Sequence, residues 1–230
     1  MDYSSLIQDL KKKKELNDLD DNFIQERIKN YLNERLIPDN KKSQEYKKIF
    51  KDLRKILRKS YGMFKQIKEK RSLDFYKSIF NKLKSKKILD LGCNLEPLRY
   101  TKLVDAEFYA TDISNNVIEK LNDYFSKNKI RGKAFIFNLV DEDLNKLPKV
   151  DLCFMLKLLD SVELFKRNFS KELFKKINSK YFVVSFAKRT LSKKKIIKSK
   201  RSWLKRILNE LKYKYEMFDY DDEIVFLIEK

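Results

Sequence analysis

"KYEMFDYDDEIVFLIEK", Lys214 to Lys230, is two strand-like runs separated only by a tight acidic turn near Tyr220 to Asp222. So short a link lets two strands pair in one way, as an antiparallel hairpin. The chain upstream, back to Lys86, follows another rule. Short apolar runs rich in Val, Ile and Phe alternate with amphipathic segments: "KKILDLGC", "EFYATDIS", "NNVIEKLNDYFSKN", "KAFIFNLV", "VDLCFMLKLL", "VELFKRNFSKELFKKINS", "YFVVSFA" and "RSWLKRILNELK". Strand alternating with helix implies a parallel sheet covered on both faces. The expected fold is therefore α/β, a doubly wound sheet finished by a C-terminal antiparallel hairpin.

Before Lys86 the period changes. "SLIQDLKKKKEL", "DNFIQERIKNYLNERL", "SQEYKKIFKDLRKILRKSYGMFKQIK" and "SLDFYKSIFNKLK" carry apolar residues at three- and four-residue spacing, which predicts helices. Pro38 in "IPDNKKS" ends the second, and Ser43 is placed to cap the third. This divides the chain into a small basic helical domain, residues 1–84, and an α/β domain, residues 85–230.

A formal charge of +20 on 230 residues is too large for an ordinary enzyme of small neutral metabolites and implies a polyanionic partner. No stretch approaches the roughly 20 apolar residues that span a bilayer, and "MDYSSLIQDLKKKK" lacks the order of a signal peptide, so a cytoplasmic protein is expected. A membrane surface is the weaker partner, because neither basic segment pairs its cations with an exposed Trp/Phe-rich face. The two cysteines, Cys93 and Cys153, sit in apolar runs and read as reduced core thiols; with no histidine, no Cys/His metal cluster is expected. Without imidazole the usual general base and the usual Ser and Cys nucleophile partners are absent too.

In "ILDLGCNLEPL" a strand runs into Asp90 and Gly92, then a turn, Cys93–Asn94, with Pro97 ready to open a helix. One glycine is too few for a G-x-G-x-x-G dinucleotide turn. Asn94 stands where a second glycine would ease such a turn, and Asn is among the residues that tolerate positive φ. About 20 residues on, "EFYATDIS" ends its strand at Asp112, where an acid accepts hydrogen bonds from ribose hydroxyls; the alternative is a cap for the helix starting near Asn115. Asn138, closing "KAFIFNLV", reads either as an adenine contact or as a strand-end turn residue. Lys157 lies in the apolar run "LCFMLKLLD", facing a cleft or an anion, or snorkelling from a strand end. A doubly wound sheet finished by a hairpin resembles the layout of class I S-adenosylmethionine (SAM) methyltransferases.

Taken together, "LDLGCNLEPL", "YATDIS", "LCFMLKLLDSVE" and "YFVVSFAKRTLS" resemble the 16S ribosomal RNA guanine-N7 methyltransferases of the aminoglycoside-resistance family, over about residues 66 to 230. The resemblance implies a Rossmann-like SAM domain preceded by a helical extension that docks on the small ribosomal subunit. It implies that Asp90, Gly92, Cys93 and Asn94 form the turn around the methionine part of SAM, Asp112 and Ile113 the ribose contact, and Asn138 and Leu139 the adenine contact. Lys157 matches the family's "KLL" lysine, which makes it a candidate cofactor contact, and Glu163 the acid after it. "EKRSLDFY" is similar to the family's approach to the first strand, which makes Arg71 a candidate for the SAM carboxylate. Ser185, Arg189 and Leu191 keep the family's "VSFP-T-[KR]-S-L" pattern, while Ala187 and Lys188 depart from it. Lys157, Ser185 and Arg189 are thereby the candidate catalytic residues.

Guanine N7 carries an in-plane lone pair and attacks a methyl sulfonium without first losing a proton, so a site with no histidine suffices. From Lys188 to Arg206 there are ten Lys/Arg and no acid, starting at the mouth of the fifth strand, where ligands bind in open α/β sheets. Lys188, Arg189, Lys193, Lys194, Lys195, Lys198 and Lys200 are the candidate RNA contacts there. A second set, Lys47, Lys48, Lys51, Arg54, Lys55 and Arg58, lies in a stretch with nine Lys/Arg against Glu45 and Asp52, and reads as an RNA-docking face or as a solvated helix face. Trp203 shares its helical surroundings with Leu204, Ile207 and Leu208 and reads as core. The expected partner is 16S rRNA in the small subunit, bound by a monomer. The rival readings are the same fold acting on another RNA or atom, and a non-catalytic RNA-binding or ribosome-assembly protein.

Overall fold

The computed structural model describes residues 3–58, 71–188, 201–220 and 222–230. The chain folds as two compact units, one of residues 1–68 with 113–116 and one of the rest.

The first unit is built on three helices, α1 (Ser4–Lys11), α2 (Asp21–Leu32) and α3 (Gln44–Leu57). Asp20 caps α2 by accepting the Phe23 N–H, and Ser43 caps α3 by accepting the Tyr46 N–H, as its place in the sequence predicts. Leu6, Leu10, Ile24, Ile28, Leu53 and Leu57 form the centre of its core. Residues 113–116 join this unit through backbone: Asp20 N–H donates to the Ile113 carbonyl and Asn115 N–H to the Asp18 carbonyl, both at 2.9 Å.

The second unit is a seven-stranded sheet of order β3-β2-β1-β4-β5-β7-β6. Its strands are β1 (Lys87–Leu91), β2 (Glu107–Asp112), β3 (Gly132–Ile136), β4 (Val150–Leu156), β5 (Ser179–Ala187), β6 (Lys214–Tyr220) and β7 (Glu223–Glu229). The first five pair in parallel, whereas β7 runs antiparallel to β5 and to β6, so the hairpin read from the sequence is present. The later strand of the hairpin takes the inner place. β7, "EIVFLIE", is buried through six residues and β6, "KYEMFDY", is mostly exposed. A continuous apolar run belongs between two strands and a polar-rich one at the edge.

Helices cover both faces. On one lie α7 (Leu159–Phe165), α8 (Phe169–Lys176) and α9 (Ser202–Glu210), contributing Leu159, Leu173, Phe174, Leu204 and Leu208 to the core. Trp203 packs partly buried on this core, edge-on to Phe186 at 5.9 Å, as expected. On the other face lie α4 (Leu73–Leu83), α5 (Pro97–Tyr100) and α6 (Asn115–Lys127), contributing Tyr76, Phe80, Tyr100 and Leu121. α4 packs with the sheet, through Phe75, Tyr76, Ile79 and Phe80 against Ile88 and Phe154. Cys93 and Cys153 are both buried free thiols. Among the described residues no helix is long and apolar enough to cross a membrane.

Candidate functional site

The carboxyl ends of β1 and β2 are joined by the turn that follows β1. Gly92 has φ of 62° and Asn94 φ of 47°, both left-handed, so the asparagine supplies the conformation otherwise left to a glycine. A Cβ added at Gly92 would come within 3.0 Å of Leu158 Cδ1. The turn is pinned twice to β2: Cys93 N–H donates to the Thr111 carbonyl and Asn94 N–H to Asp112 Oδ2, each at 3.0 Å. Pro97 opens α5 at its first turn.

Two acids border this turn. Asp90 is 2% exposed and accepts the Tyr100 hydroxyl at 2.7 Å. Burial pushes its pKa from 3.8 up to about 7, against the pull of the Tyr100 hydrogen bond and with the help of nearby Glu96. Asp112 is also buried, and its bond to Asn94 ties it to the turn. Beside it Thr111 Oγ1 is buried and makes no hydrogen bond among the described residues. A buried acid tied to a left-handed turn at adjacent parallel strand ends is an arrangement that fits the ribose of a nucleoside.

Lys157 follows β4 directly, in a left-handed conformation with φ of 53°. The strained residue is held by β5, because its N–H is shared between the Ser185 carbonyl at 2.9 Å and Ser185 Oγ at 3.1 Å. Its amine pairs with Glu223 Oε1 at 3.1 Å. The other oxygen of Glu223 accepts Arg71 Nε and Nη2, both at 3.1 Å. Arg71 Nη1 is 3.7 Å from Glu96 Oε2, Glu96 also accepts the Tyr76 hydroxyl, and Arg99 lies 3.5 Å from its Oε1. Lys157, Ser185, Arg71 and the β1 turn are therefore brought into one connected neighbourhood.

Other candidates are placed elsewhere or engaged otherwise. Asn138 lies two residues past β3 and closes its own turn: Nδ2 donates to Asp141 at 2.5 Å and Oδ1 accepts Val140 N–H at 3.2 Å. Its neighbour Leu139 is in the core, and Ile113 groups with the first unit. Glu163 accepts the N–H groups of Asn168 and Ser170, each at 2.7 Å, which makes it the anionic cap of α8. Lys188 donates its N–H to the Asp222 carbonyl at 2.7 Å and its amine pairs with Asp219 at 3.3 Å. Arg189, Lys193, Lys194, Lys195, Lys198 and Lys200 lie outside the described residues.

In the first unit, Arg54, Lys47, Arg58, Lys51, Lys55 and Lys48 share one arc of about 120° on α3 at 3.6 residues per turn, opposite the buried Ile49, Leu53 and Leu57. Arg54 and Arg58 pair with Glu15 at 3.3 and 3.5 Å. Lys47, Lys48, Lys51 and Lys55 are exposed and form no ion pair among the described residues.

The family model described as ribosomal RNA methyltransferase (FmrO) matches residues 52–213. The chain belongs to this family. The fold of the FmrO-family chain is shared by several solved structures. The 16S rRNA methyltransferase RmtF, in complex with S-adenosyl-L-homocysteine, superposes with a TM-score of 0.77 at 20% identity, covering 100% of this chain and 99% of that one. An rRNA methylase from Escherichia coli gives 0.73 at 13% identity with both chains covered fully, and the 16S rRNA methylase ArmA gives 0.57 at 22%, covering 90% and 97%. No curated protein matches the chain.

For this FmrO-family chain, reading the sequence missed Glu96, Tyr100 and Glu223. Glu96 sits in the quoted turn and was legible as a charge beside the site. Glu223 carries no local signal, because its partner Arg71 is 152 residues away.

Proposed function

We propose that this rRNA methyltransferase uses S-adenosylmethionine to methylate N7 of a guanine in the decoding region of 16S rRNA, acting as a cytoplasmic monomer on the small subunit. The observation that carries the reading is the tie between Asn94 and Asp112, a turn amide bound to a buried acid at the ends of adjacent parallel strands. RmtF, a 16S rRNA methyltransferase with S-adenosyl-L-homocysteine bound, has the same fold over the whole chain, which supports both cofactor and substrate.

S-adenosylmethionine, when bound, supplies an electrophilic methyl group on a sulfonium. The chain's own residues orient and screen. Asp112 accepts from ribose hydroxyls, the turn from Gly92 to Asn94 lets backbone approach, and Arg71 with Lys157 offers positive charge to a carboxylate. Ser185 fixes the backbone of Lys157 at the mouth of β4 and β5. N7 of guanine needs no base to attack, which matches a chain with no histidine. A base in a stacked helix is shielded, and exposing it costs a few kcal/mol, which contacts from Lys and Arg to phosphates offset.

Transfer of label from radiolabelled S-adenosylmethionine to purified small subunits, followed by borohydride and aniline cleavage, tests the proposal. A single cleavage in the decoding region is the expected result. Label without cleavage removes N7 from the proposal, and no label on subunits, free rRNA or transfer RNA overturns the catalytic reading in favour of an RNA-binding role.

A further inference from the structure

We propose that Glu223 is a positioning residue whose single carboxylate holds Arg71 and Lys157 as a two-cation receptor for the carboxylate of the cofactor's amino-acid end; the inference rests on the cofactor reading above. Glu223 is the first residue of β7, set opposite Ala187 of β5 and Tyr220 of β6. The hairpin thus delivers an acid to the mouth of the parallel strands, where the other groups of the site converge.

Both oxygens of that acid are used. Oε2 takes two hydrogen bonds from Arg71 and Oε1 pairs with Lys157, all at 3.1 Å. Arg71 is 3% exposed, and a buried guanidinium needs a fixed counter-charge to stay where it is. A carboxylate between two cations also fixes their spacing and direction, which neither flexible side chain does alone.

Among the described residues Arg71, Arg99 and Lys157 pair with Glu96 and Glu223 in one connected set, with Asp90 close enough to act on it and Asp112 to act on Asp90. The set borders the turn after β1, since Glu96 lies in that turn and Leu158, next to Lys157, lies 3.0 Å from where a Cβ on Gly92 would stand. A ligand carboxylate placed there meets two cations held in a fixed geometry.

Two ligands separate this role from a purely structural one: S-adenosyl-L-homocysteine, which has the amino-acid end, and 5′-methylthioadenosine, which lacks it. In calorimetry, Glu223→Gln should weaken the first by about tenfold, the effect of one lost charge-assisted contact, and leave the second within about twofold. Equal weakening of both, an unchanged first ligand, or a tighter first ligand overturns the proposal. Should the variant not fold, the unmodified protein provides a second test, because the Lys157 side chain is 16% exposed and open to reductive methylation. S-adenosyl-L-homocysteine should slow its labelling and 5′-methylthioadenosine should not; equal protection by both, or by neither, overturns the proposal. If the unmodified protein binds neither ligand, the cofactor reading falls and takes this inference with it. If it binds both and Glu223→Gln shows no split, only this inference falls.

Discussion

Asn94, at φ of 47°, donates its backbone N–H to Asp112 Oδ2 at 3.0 Å. The left-handed turn and the acid at the end of β2 are thus one unit, and each can be tested through the other. Asn94→Gly should keep the melting temperature and the binding of S-adenosyl-L-homocysteine, whereas Asn94→Val should cost about 1–2 kcal/mol from the conformation alone. Equal stability of the two variants would remove the turn's dependence on a left-handed residue.

Asp112→Ala should weaken S-adenosyl-L-homocysteine by about tenfold or more, because a hydrogen bond to a charged group is worth roughly 1.5–3 kcal/mol. Calorimetry reads this directly. An unchanged affinity would make Asp112 a purely structural tie for the turn.

Gly92→Ala combines a φ of 62° with a contact of 3.0 Å to Leu158 Cδ1. Its stability should fall by about 1–2 kcal/mol from backbone strain, with a further part from the crowding. Adding Leu158→Ala should return only the crowding part, which a thermal double-mutant cycle resolves. Complete recovery in the double variant would mean that the backbone at this position carries no strain.

Asp90 gives a pH dependence of definite sign. Its folded value, about 7, lies above the ordinary 3.8, so the folded chain holds a proton that the unfolded chain has released. The stability it contributes is full below about pH 4 and is lost as pH rises toward about 7. Asp90→Asn should flatten the melting temperature over that window relative to the unmodified chain. Parallel profiles would show that Asp90 titrates alike in both states.

On α3, Lys47, Lys51 and Lys55 share one exposed face. Changing all three to Glu should leave the fold intact and make the salt dependence of RNA binding shallower by roughly 2–3 in log–log slope. Filter binding at several salt concentrations measures it. An unchanged slope would assign this face to solvent.

The hairpin was legible because its two runs have a strand period and too short a link for anything else. Which strand of the hairpin lies inside was not read from the sequence, although "EIVFLIE" is the more continuously apolar of the two. The turn from Gly92 to Asp112 could be read because strand, turn and acid lie close in sequence. The side to which α4 belongs could not. An amphipathic pattern shows that Phe75, Tyr76, Ile79 and Phe80 are buried, but not against which core. Asn138 was ambiguous for a similar reason: an amide at a strand end serves a ligand or its own turn equally well, and Asp141 and Val140 engage it here. Glu223 was silent because ion pairing across 152 residues leaves no local trace.

That same separation has a consequence for how the molecule comes together. Contacts between remote parts of a chain must meet the entropy of closing long loops before they contribute. A chain with β1 and β2 paired but the hairpin undocked would present Asp90 and Asp112, yet its Arg71 would have no Glu223. Recognition of a ligand's carboxylate, on the proposed reading, is therefore reserved for chains that have docked the hairpin. A ligand that grips only those chains draws the population toward them, so the cofactor would act as a proofreader of its own enzyme's folding.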